Sequence, residues 1–192
     1  ALEAVLNYTG LSLQEIAPLP KGTIMGQGGP FVPYHPDMRP SDDMDSLEEE
    51  IEVNITRWAQ LRDLVSTIPL IGPIEKGYVS SRFGRRKDPI SKRWAMHKGL
   101  DLGGPYKTAV HATAPGTVVF AGRRAFYGRT IDVQHKNGLM TRYAHLYRIK
   151  VKRGQKVGLG ETIGLLGSSG RSTGPHVHYE IRYLGKALNP RK

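Results

Sequence analysis

Four of the chain's seven histidines, together with one aspartate, fall in three short motifs whose residue types suit metal chemistry. The motifs are His97-Lys98-Gly99-Leu100-Asp101, Tyr143-Ala144-His145-Leu146-Tyr147 and His176-Val177-His178. A catalytic zinc ion typically takes three nitrogen or oxygen ligands from the protein and keeps a fourth position open, whereas cysteines usually enclose structural zinc. The chain contains no cysteine, so a thiolate site is excluded and an open catalytic site fits the residue types.

Strand geometry limits how these side chains reach one ion. Side chains at i and i+2 of a strand share a face about 7 Å apart, so His176 and His178 can address one small site. His97 and Asp101 would be about 13 Å apart along a straight strand, which is too far for two ligands of one ion. We therefore predict a bend near Lys98 and Gly99, which glycine permits.

Each motif is weak evidence by itself. An HxxxD spacing occurs often by chance, and an HxH pair can be a strand face of hydrogen-bonded imidazoles. The other three histidines are predicted to lie outside the site. His35, between prolines, is expected in a surface loop, and His111 and His135 are expected to be strand residues with hydrogen-bonded rings.

The motifs lie in glycine-rich sequence and, together with their flanking residues, follow one another along the chain in the order of a known family. The most specific stretches are Thr141–Leu146 and Gly167–Glu180, and they follow Ser81–Pro89, His97–Leu102 and Ala112–Val119. From about Gly77 to Asn189, the chain resembles the lysostaphin-like (LytM-type) zinc metallopeptidases, which cleave peptide cross-links in bacterial peptidoglycan.

The resemblance implies roles for the five residues. His97, Asp101 and His178 would bind one zinc ion, while His145 and His176 would flank the attacking water and the scissile carbonyl. A histidine pKa near 6.5 suits proton transfer and hydrogen bonding to an oxyanion, but the sequence does not assign these two roles individually. Family relatives that only activate amidases have lost several of these residues. All are present here, which favours an active enzyme.

Charge divides the chain near residue 70. The first 70 residues contain 4 Lys or Arg and 11 Asp or Glu, whereas residues 71–192 contain 24 and 6. Opposite charge should attract the two parts to each other. We predict a helical and proline-rich N-terminal segment at 1–70, regulatory or coiled-coil in character, and a lysostaphin-like zinc endopeptidase domain at 71–192.

The N-terminal segment is predicted to contain one long helix, from Asp43 to about Ile68. Its apolar stripe has heptad spacing and runs through Leu47, Ile51, Asn54, Trp58, Leu61, Val65 and Ile68. Such a stripe suits a coiled coil or another partner helix, or docking on the catalytic domain. Residues 17–40 are predicted to be irregular, either a linker or a segment that crosses the cleft and restrains the enzyme. Residues 1–16 are expected to form a short helix or two.

After Ile71, short apolar segments alternate with glycine turns, which predicts a mainly β fold. We expect an antiparallel sheet whose long loops wall a groove. The predicted strands are 116–121, 130–135, 139–145, 156–160, 162–166 and 176–183, the second and third joined as a hairpin through Lys136-Asn137-Gly138.

The sequence also narrows the partners and the location. It has no run of 18 apolar residues and no signal peptide, so any signal or membrane anchor is expected upstream of Ala1. The many cations are spread among glycine-rich loops without a nucleic-acid motif, so we expect no nucleic acid and an anionic wall polymer instead. The expected location is extracytoplasmic, in the periplasm or cell envelope.

These observations together predict a zinc-dependent endopeptidase that hydrolyses the cross-linking peptides of peptidoglycan. The alternative is a peptidoglycan-binding or amidase-activating module with little turnover. The sequence does not decide which bond is cleaved, the direct link between D-alanine and diaminopimelate or a glycine bridge. We weakly prefer the direct link, because residues 1–70 do not resemble a glycine-bridge binding domain. The oligomeric state also stays open.

Overall fold

The structure is a computed structural model that describes residues 40–191. The predictions for residues 1–16, for His35 and for nearly all of residues 17–40 lie outside the described residues. The described part contains one long helix and a series of strands, whose bounds are α1 Pro40–Thr67, β1 Tyr78–Ser81, β2 Gly84–Lys87, β3 Trp94–His97, β4 Leu100–Gly103, β5 Ala109–His111, β6 Gly116–Arg124, β7 Gly128–Gln134, β8 Leu139–Leu146, β9 Arg148–Ile149, β10 Lys156–Val157, β11 Thr162–Leu165, β12 His176–Tyr183 and β13 Lys186–Leu188.

Helix α1 confirms the helix predicted from the heptad stripe and ends just before Pro69, since a residue preceding proline is biased away from helical geometry. Directly after its C-terminal end, Ile68 packs on Leu139 with partly buried Ile181, Tyr183 and Leu188. Ile51 and Trp58 of the stripe are exposed. Docking along the whole stripe is therefore not observed, and pairing with another helix stays a prediction. Among the described residues, no helix is both long and apolar enough to cross a membrane.

The main sheet has eight antiparallel strands in the order β1-β4-β12-β8-β7-β6-β10, with β13 paired to β12. This architecture confirms the predicted mainly β, antiparallel fold. The hairpin of β7 and β8 turns through a short 3₁₀ segment at Lys136–Gly138, where Gly138 has a φ of +74° that favours glycine. A second sheet has the order β5-β11-β9, and β2 and β3 form a separate hairpin.

The hydrophobic core lies between the eight-stranded and three-stranded sheets. Val110 and Ile163 come from the small sheet, and Ile131, Tyr143 and Val177 come from the large one, all of them fully buried. Alternation along β12 follows from this packing: Val177 and Tyr179 face the core, so His176, His178 and Glu180 share the opposite face. Strand β12 lies centrally, between β4 and β8, which brings residues from both neighbours beside its histidines.

Candidate metal centre and cleft

Three side chains from three strands converge on one point. His97 ends β3, and Asp101 on β4 lies directly opposite His178 on β12. Asp101 Oδ1 is 3.0 Å from His97 Nε2 and 2.7 Å from His178 Nδ1, and the two histidine nitrogens are 3.0 Å apart. The three side chains are buried. They offer two nitrogen ligands and one oxygen ligand to a single metal ion.

Gly99 makes the approach of His97 and Asp101 possible. Strands β3 and β4 are interrupted at Lys98 and Gly99, which confirms the predicted bend. A Cβ atom on Gly99 would lie 2.5 Å from the carbonyl oxygen of Tyr179 and 2.8 Å from the imidazole of His178. A larger residue would therefore displace His178, so glycine serves close packing here as well as the bend.

Each of the two histidines donates its other ring N–H to a fixed acceptor. His97 Nδ1 donates to the carbonyl oxygen of Arg82 at 2.8 Å, and His178 Nε2 donates to Glu180 Oε1 at 3.0 Å. Lone pairs are thereby left on His97 Nε2 and His178 Nδ1, which face each other and the carboxylate of Asp101. Such outer partners are characteristic of metal-binding histidines because they fix the tautomer and orient the ring. The arrangement of three converging acceptor atoms fits a cation.

The protonation of Asp101 and His178 follows from their contacts. Without a metal ion, His97 Nε2 and His178 Nδ1 can instead carry protons and donate to Asp101. Burial alone would raise the pKa of Asp101, but such hydrogen bonds from His178 and His97 outweigh it and hold that pKa far below its usual range. Burial would lower the pKa of His178, yet the carboxylates of Asp101 and Glu180 raise it overall. A metal ion and a proton therefore compete for the same nitrogen of His178.

Glu180 is the charged residue that supports His178 from behind. It is fully buried, and it accepts hydrogen bonds from Tyr127 at 2.8 Å and from Arg182 at 2.6 Å as well as from His178. Burial by itself would raise its pKa, but these donors bring the pKa down to about 2. Glu180 is thus an ionised carboxylate whose oxygen is available to the His178 ring at neutral pH.

Replacing Glu180 with glutamine is expected to weaken the affinity for a metal ion, with zinc as the probe, about 10- to 100-fold, because the ring of His178 loses its anionic partner. Competition with a chromogenic chelator measures this affinity directly. Glu161→Gln is the matched control, since Glu161 accepts hydrogen bonds from the Gly158 N–H and the Gln155 side chain elsewhere in the fold. Equal zinc affinities in both variants would show that Glu180 does not act on the metal centre.

His145 and His176 lie beside the three converging side chains, with ring centroids 4.8 Å apart. His145 Nδ1 donates to the carbonyl oxygen of Ser169 at 2.7 Å, and His176 Nδ1 donates to that of Gly174 at 2.8 Å. Because carbonyls only accept, both rings keep an Nε2 lone pair. His176 Nε2 is 3.9 Å from Asp101 Oδ1. Two imidazole nitrogens that can accept a proton thus lie next to the candidate metal centre.

The backbone of His145 is strained, since its φ of 59° is rare for a residue with a side chain. Two backbone hydrogen bonds hold it there: its N–H donates to Tyr127 O at 2.9 Å, and its C=O accepts from Ser169 at 3.2 Å. Burial lowers the pKa of His145 to about 4, so the imidazole is neutral at physiological pH. Strain and burial together keep a neutral ring aimed into the site, as is common for functional residues.

The structure brings together all five residues that the sequence singled out. His111 and His135 lie elsewhere, and both rings are hydrogen-bonded as predicted, His111 to Gly160 O at 2.9 Å and His135 to Pro115 O at 2.8 Å. His111 ends β5 as expected, but the strand prediction for His135 is wrong, because β7 ends at Gln134 and the chain turns there into the 3₁₀ segment. Sequence reasoning missed Glu180 and Tyr127. Glu180 was within reach of the same argument, because it continues the i, i+2 alternation of His176 and His178; Tyr127 gave no signal.

An open cleft of about 610 Å³ surrounds the candidate metal centre. One wall includes Arg86 and Asp88 of the β2–β3 hairpin, and the other includes Phe126 and the loop around Arg171. Arg171 donates a 2.6 Å hydrogen bond to Asp88, so an ion pair joins the two walls. The predicted groove-forming loops are therefore present around the five residues.

Comparison with known proteins identifies close relatives. Residues 95–190, half of the chain, match Peptidase family M23. The chain is 45% identical over 118 residues to the peptidoglycan DD-endopeptidase ShyA of Vibrio cholerae serotype O1, a match that covers 61% of this chain and 27% of ShyA. The chain spans less than a third of the length of such curated relatives.

Solved structures share the fold at lower identity. A zinc-containing peptidase from Vibrio cholerae superposes with a TM-score of 0.59 at 34% identity, covering 62% of this chain and 38% of that one. The catalytic domain of the antimicrobial peptidase lysostaphin from Staphylococcus simulans gives a TM-score of 0.56 at 30% identity, covering 60% of this chain and 90% of that domain. Since motifs, fold and sequence match agree, the lysostaphin-like resemblance is confirmed and this chain belongs to Peptidase family M23.

Proposed function

We propose that the protein is a zinc-dependent endopeptidase that hydrolyses the cross-linking peptides of bacterial peptidoglycan. The observation that carries this proposal is the convergence of His97, Asp101 and His178 beside the free Nε2 atoms of His145 and His176. The name of the Vibrio relative, a peptidoglycan DD-endopeptidase, supports the substrate. Family membership and the two nitrogen and one oxygen donors imply a metal.

We propose zinc as that metal, bound by His97 Nε2, Asp101 Oδ1 and His178 Nδ1. The donor set matches the open sites of catalytic zinc, and a solved relative is a zinc-containing peptidase. When bound, zinc lowers the pKa of a water from about 15.7 toward about 7 and polarises the substrate carbonyl. One carboxylate among the ligands leaves a dipositive ion with a net positive charge, which stabilises a developing oxyanion.

His145 and His176 supply proton transfer on either side of the scissile carbonyl. Attack by water forms a carbon–oxygen bond and releases a proton, which a neutral imidazole Nε2 accepts. The same proton then passes to the leaving nitrogen as the carbon–nitrogen bond breaks. The second imidazole, protonated at Nε2 when its ring is charged, donates a hydrogen bond to the oxyanion. The Nδ1 bonds to Ser169 and Gly174 keep both rings oriented throughout.

Within peptidoglycan, we propose the direct cross-link between D-alanine and diaminopimelate as the bond cleaved. The Vibrio relative is named a DD-endopeptidase, a term for cleavage between two D-configured centres. Because this polymer lies outside the cytoplasmic membrane, an extracytoplasmic location, such as the periplasm, belongs to the same proposal.

Release of peptides from purified peptidoglycan tests the proposal. The protein is expected to convert cross-linked dimers into monomers, detected by mass spectrometry, and to stop doing so after chelation of its metal. The mass and sequence of the products identify the bond. Release that continues unchanged in metal-free protein, or no release from protein that has bound zinc, would contradict the proposal.

A further inference from the structure

The two carboxylate oxygens of Asp101 face different partners. Oδ1 lies 3.0 Å from His97 Nε2, 2.7 Å from His178 Nδ1 and 3.9 Å from His176 Nε2. Oδ2 lies instead 3.4 Å from Nη2 of Arg86, which donates a hydrogen bond to it. One oxygen of this candidate metal ligand is therefore turned toward the imidazoles, and the other is turned toward a guanidinium group.

The register of the β2–β3 hairpin brings Arg86 to Asp101. Arg86 pairs with Ala95, and Gly84 pairs with His97. Residues at i and i+2 of a strand share a face, and so do residues directly opposite each other on paired strands. Arg86 therefore lies on the face of the hairpin that carries His97. One hairpin thus supplies a candidate metal ligand and also the cation beside a second one.

The acidic residue that follows Arg86 in the same hairpin is already engaged. Asp88 Oδ1 accepts a hydrogen bond from the Ser91 N–H at 2.6 Å and another from Arg171 at 2.6 Å. The side chain of Arg86 is 31% exposed, and that of Asp101 is 9% exposed. Partial exclusion of water strengthens a charge-assisted hydrogen bond, so the contact between Arg86 and Asp101 is favoured.

We propose that Arg86 is a positioning residue that occupies Asp101 Oδ2, so that Asp101 presents Oδ1 alone to the metal ion. This inference rests on the proposed function, because it concerns the zinc that we propose for this site. A carboxylate can bind a metal ion through one oxygen or through both. A catalytic zinc site needs a position open to water or substrate, and a second oxygen from Asp101 would compete for that position. Arg86 would keep the position open.

The charge of Arg86 gives the inference a distinctive sign. A guanidinium group repels a divalent cation, so its removal eliminates a repulsion and also frees Oδ2 as a ligand. Both effects favour metal binding, whereas the open position is lost. Loss of Arg86 should therefore lower the rate of cleavage without lowering the affinity for zinc. Loss of Glu180, which orients His178 from behind, should lower that affinity.

The variant R86M removes the charge and all of the donors of Arg86 while it keeps an unbranched side chain. R85M is the matched control, because it removes the same group from the neighbouring residue, which faces the other side of the hairpin. The guanidinium group of Arg85 lies 4.8 Å from the centre of the Trp94 ring. Neither arginine is buried, so both variants should fold, and both have the same net charge.

Three readouts test the role of Arg86. With Co²⁺ in place of zinc, the visible absorption band weakens as the number of ligands increases, so R86M should show a weaker band than the wild type. With zinc at saturation, R86M should release monomers from peptidoglycan about 10- to 100-fold more slowly, the usual effect of losing an outer partner of a metal ligand. Competition with a chelator should give a zinc affinity no lower than that of the wild type. R85M should match the wild type in all three.

Two outcomes would overturn the inference. One is an unchanged cobalt spectrum in R86M, or a zinc affinity that falls about tenfold or more, because Arg86 would then not restrict the coordination by Asp101. The other is a higher KM on a soluble cross-linked peptide with unchanged kcat, because Arg86 would then contact the substrate instead.

The cobalt spectrum needs no substrate, which separates this inference from the proposed function. A weaker band in R86M, in a protein whose wild type cleaves no peptidoglycan, would support the role of Arg86 and defeat the endopeptidase. Cleavage by R86M at the wild-type rate, with the wild-type spectrum, would defeat the role of Arg86 alone.

Discussion

Replacing His145 with asparagine is expected to lower kcat/KM for cross-link cleavage by a factor of about 10² to 10⁴, the usual contribution of a positioned acid or base. Asparagine suits the position because it tolerates the φ of 59° better than alanine does. The variant should therefore fold and bind as much zinc as the wild type. Release of monomers from peptidoglycan measures the activity, and elemental analysis measures the metal.

His111→Ala is the control for this variant, because His111 is a hydrogen-bonded histidine outside the site and should be replaceable with full activity. The same comparison separates an enzyme from an amidase-activating module. An activator needs no proton transfer at His145, so asparagine there would spare its function. Cleavage by His145→Asn at more than about a tenth of the wild-type rate would contradict the role that we propose.

Replacing Asp101 with asparagine is expected to abolish both zinc binding and cleavage. Asp101 Oδ1 lies within 3.0 Å of both ligand nitrogens, and it is the only anion of the proposed ligand set. Without the metal, the attacking water keeps its ordinary pKa of about 15.7 instead of about 7, so far less hydroxide is available. Activity should therefore fall by a factor of at least about 10³. Metal content after dialysis and the rate of monomer release give the two readouts.

Asp63→Asn controls for the loss of one carboxylate, since the Asp63 side chain forms an exposed pair with Lys136 away from the candidate metal centre. It should keep full zinc content and full activity. Near-normal zinc content in Asp101→Asn would show that the ion binds elsewhere. A thermal unfolding curve of each zinc-free protein distinguishes loss of metal from loss of fold.

Period-two alternation explains why part of the site could be predicted. His176 and His178 share a face in any strand, and β12 forms where predicted. The distance argument on His97 and Asp101 required a bend, and β3 and β4 break at Gly99. These inferences involve residues at most four apart, where covalent geometry fixes the answer. Glu180 was missed although it obeys the same alternation. An acidic residue in a strand does not indicate a role at a metal site until its burial is known.

The features that depend on distant residues could not be predicted in this way. The pairing of Asp101 with His178 joins positions 77 residues apart, and it depends on β12 lying between β4 and β8. The left-handed backbone of His145 depends on hydrogen bonds to Tyr127 and Ser169. The exposure of Ile51 and Trp58 on α1 also differs from what its heptad stripe would require for docking along the domain.

Local periodicity and motif order are enough to predict the family, the antiparallel fold class, the five candidate site residues and the bend at Gly99. The close approach of His97, Asp101 and His178, and the position of Glu180 next to His178, depend on long-range strand pairing that local patterns do not encode. The physical reason is strand register. Register is set by packing Val177, Tyr179 and their neighbours into one core, and shifting it by one residue would turn every histidine of β12 away from the site.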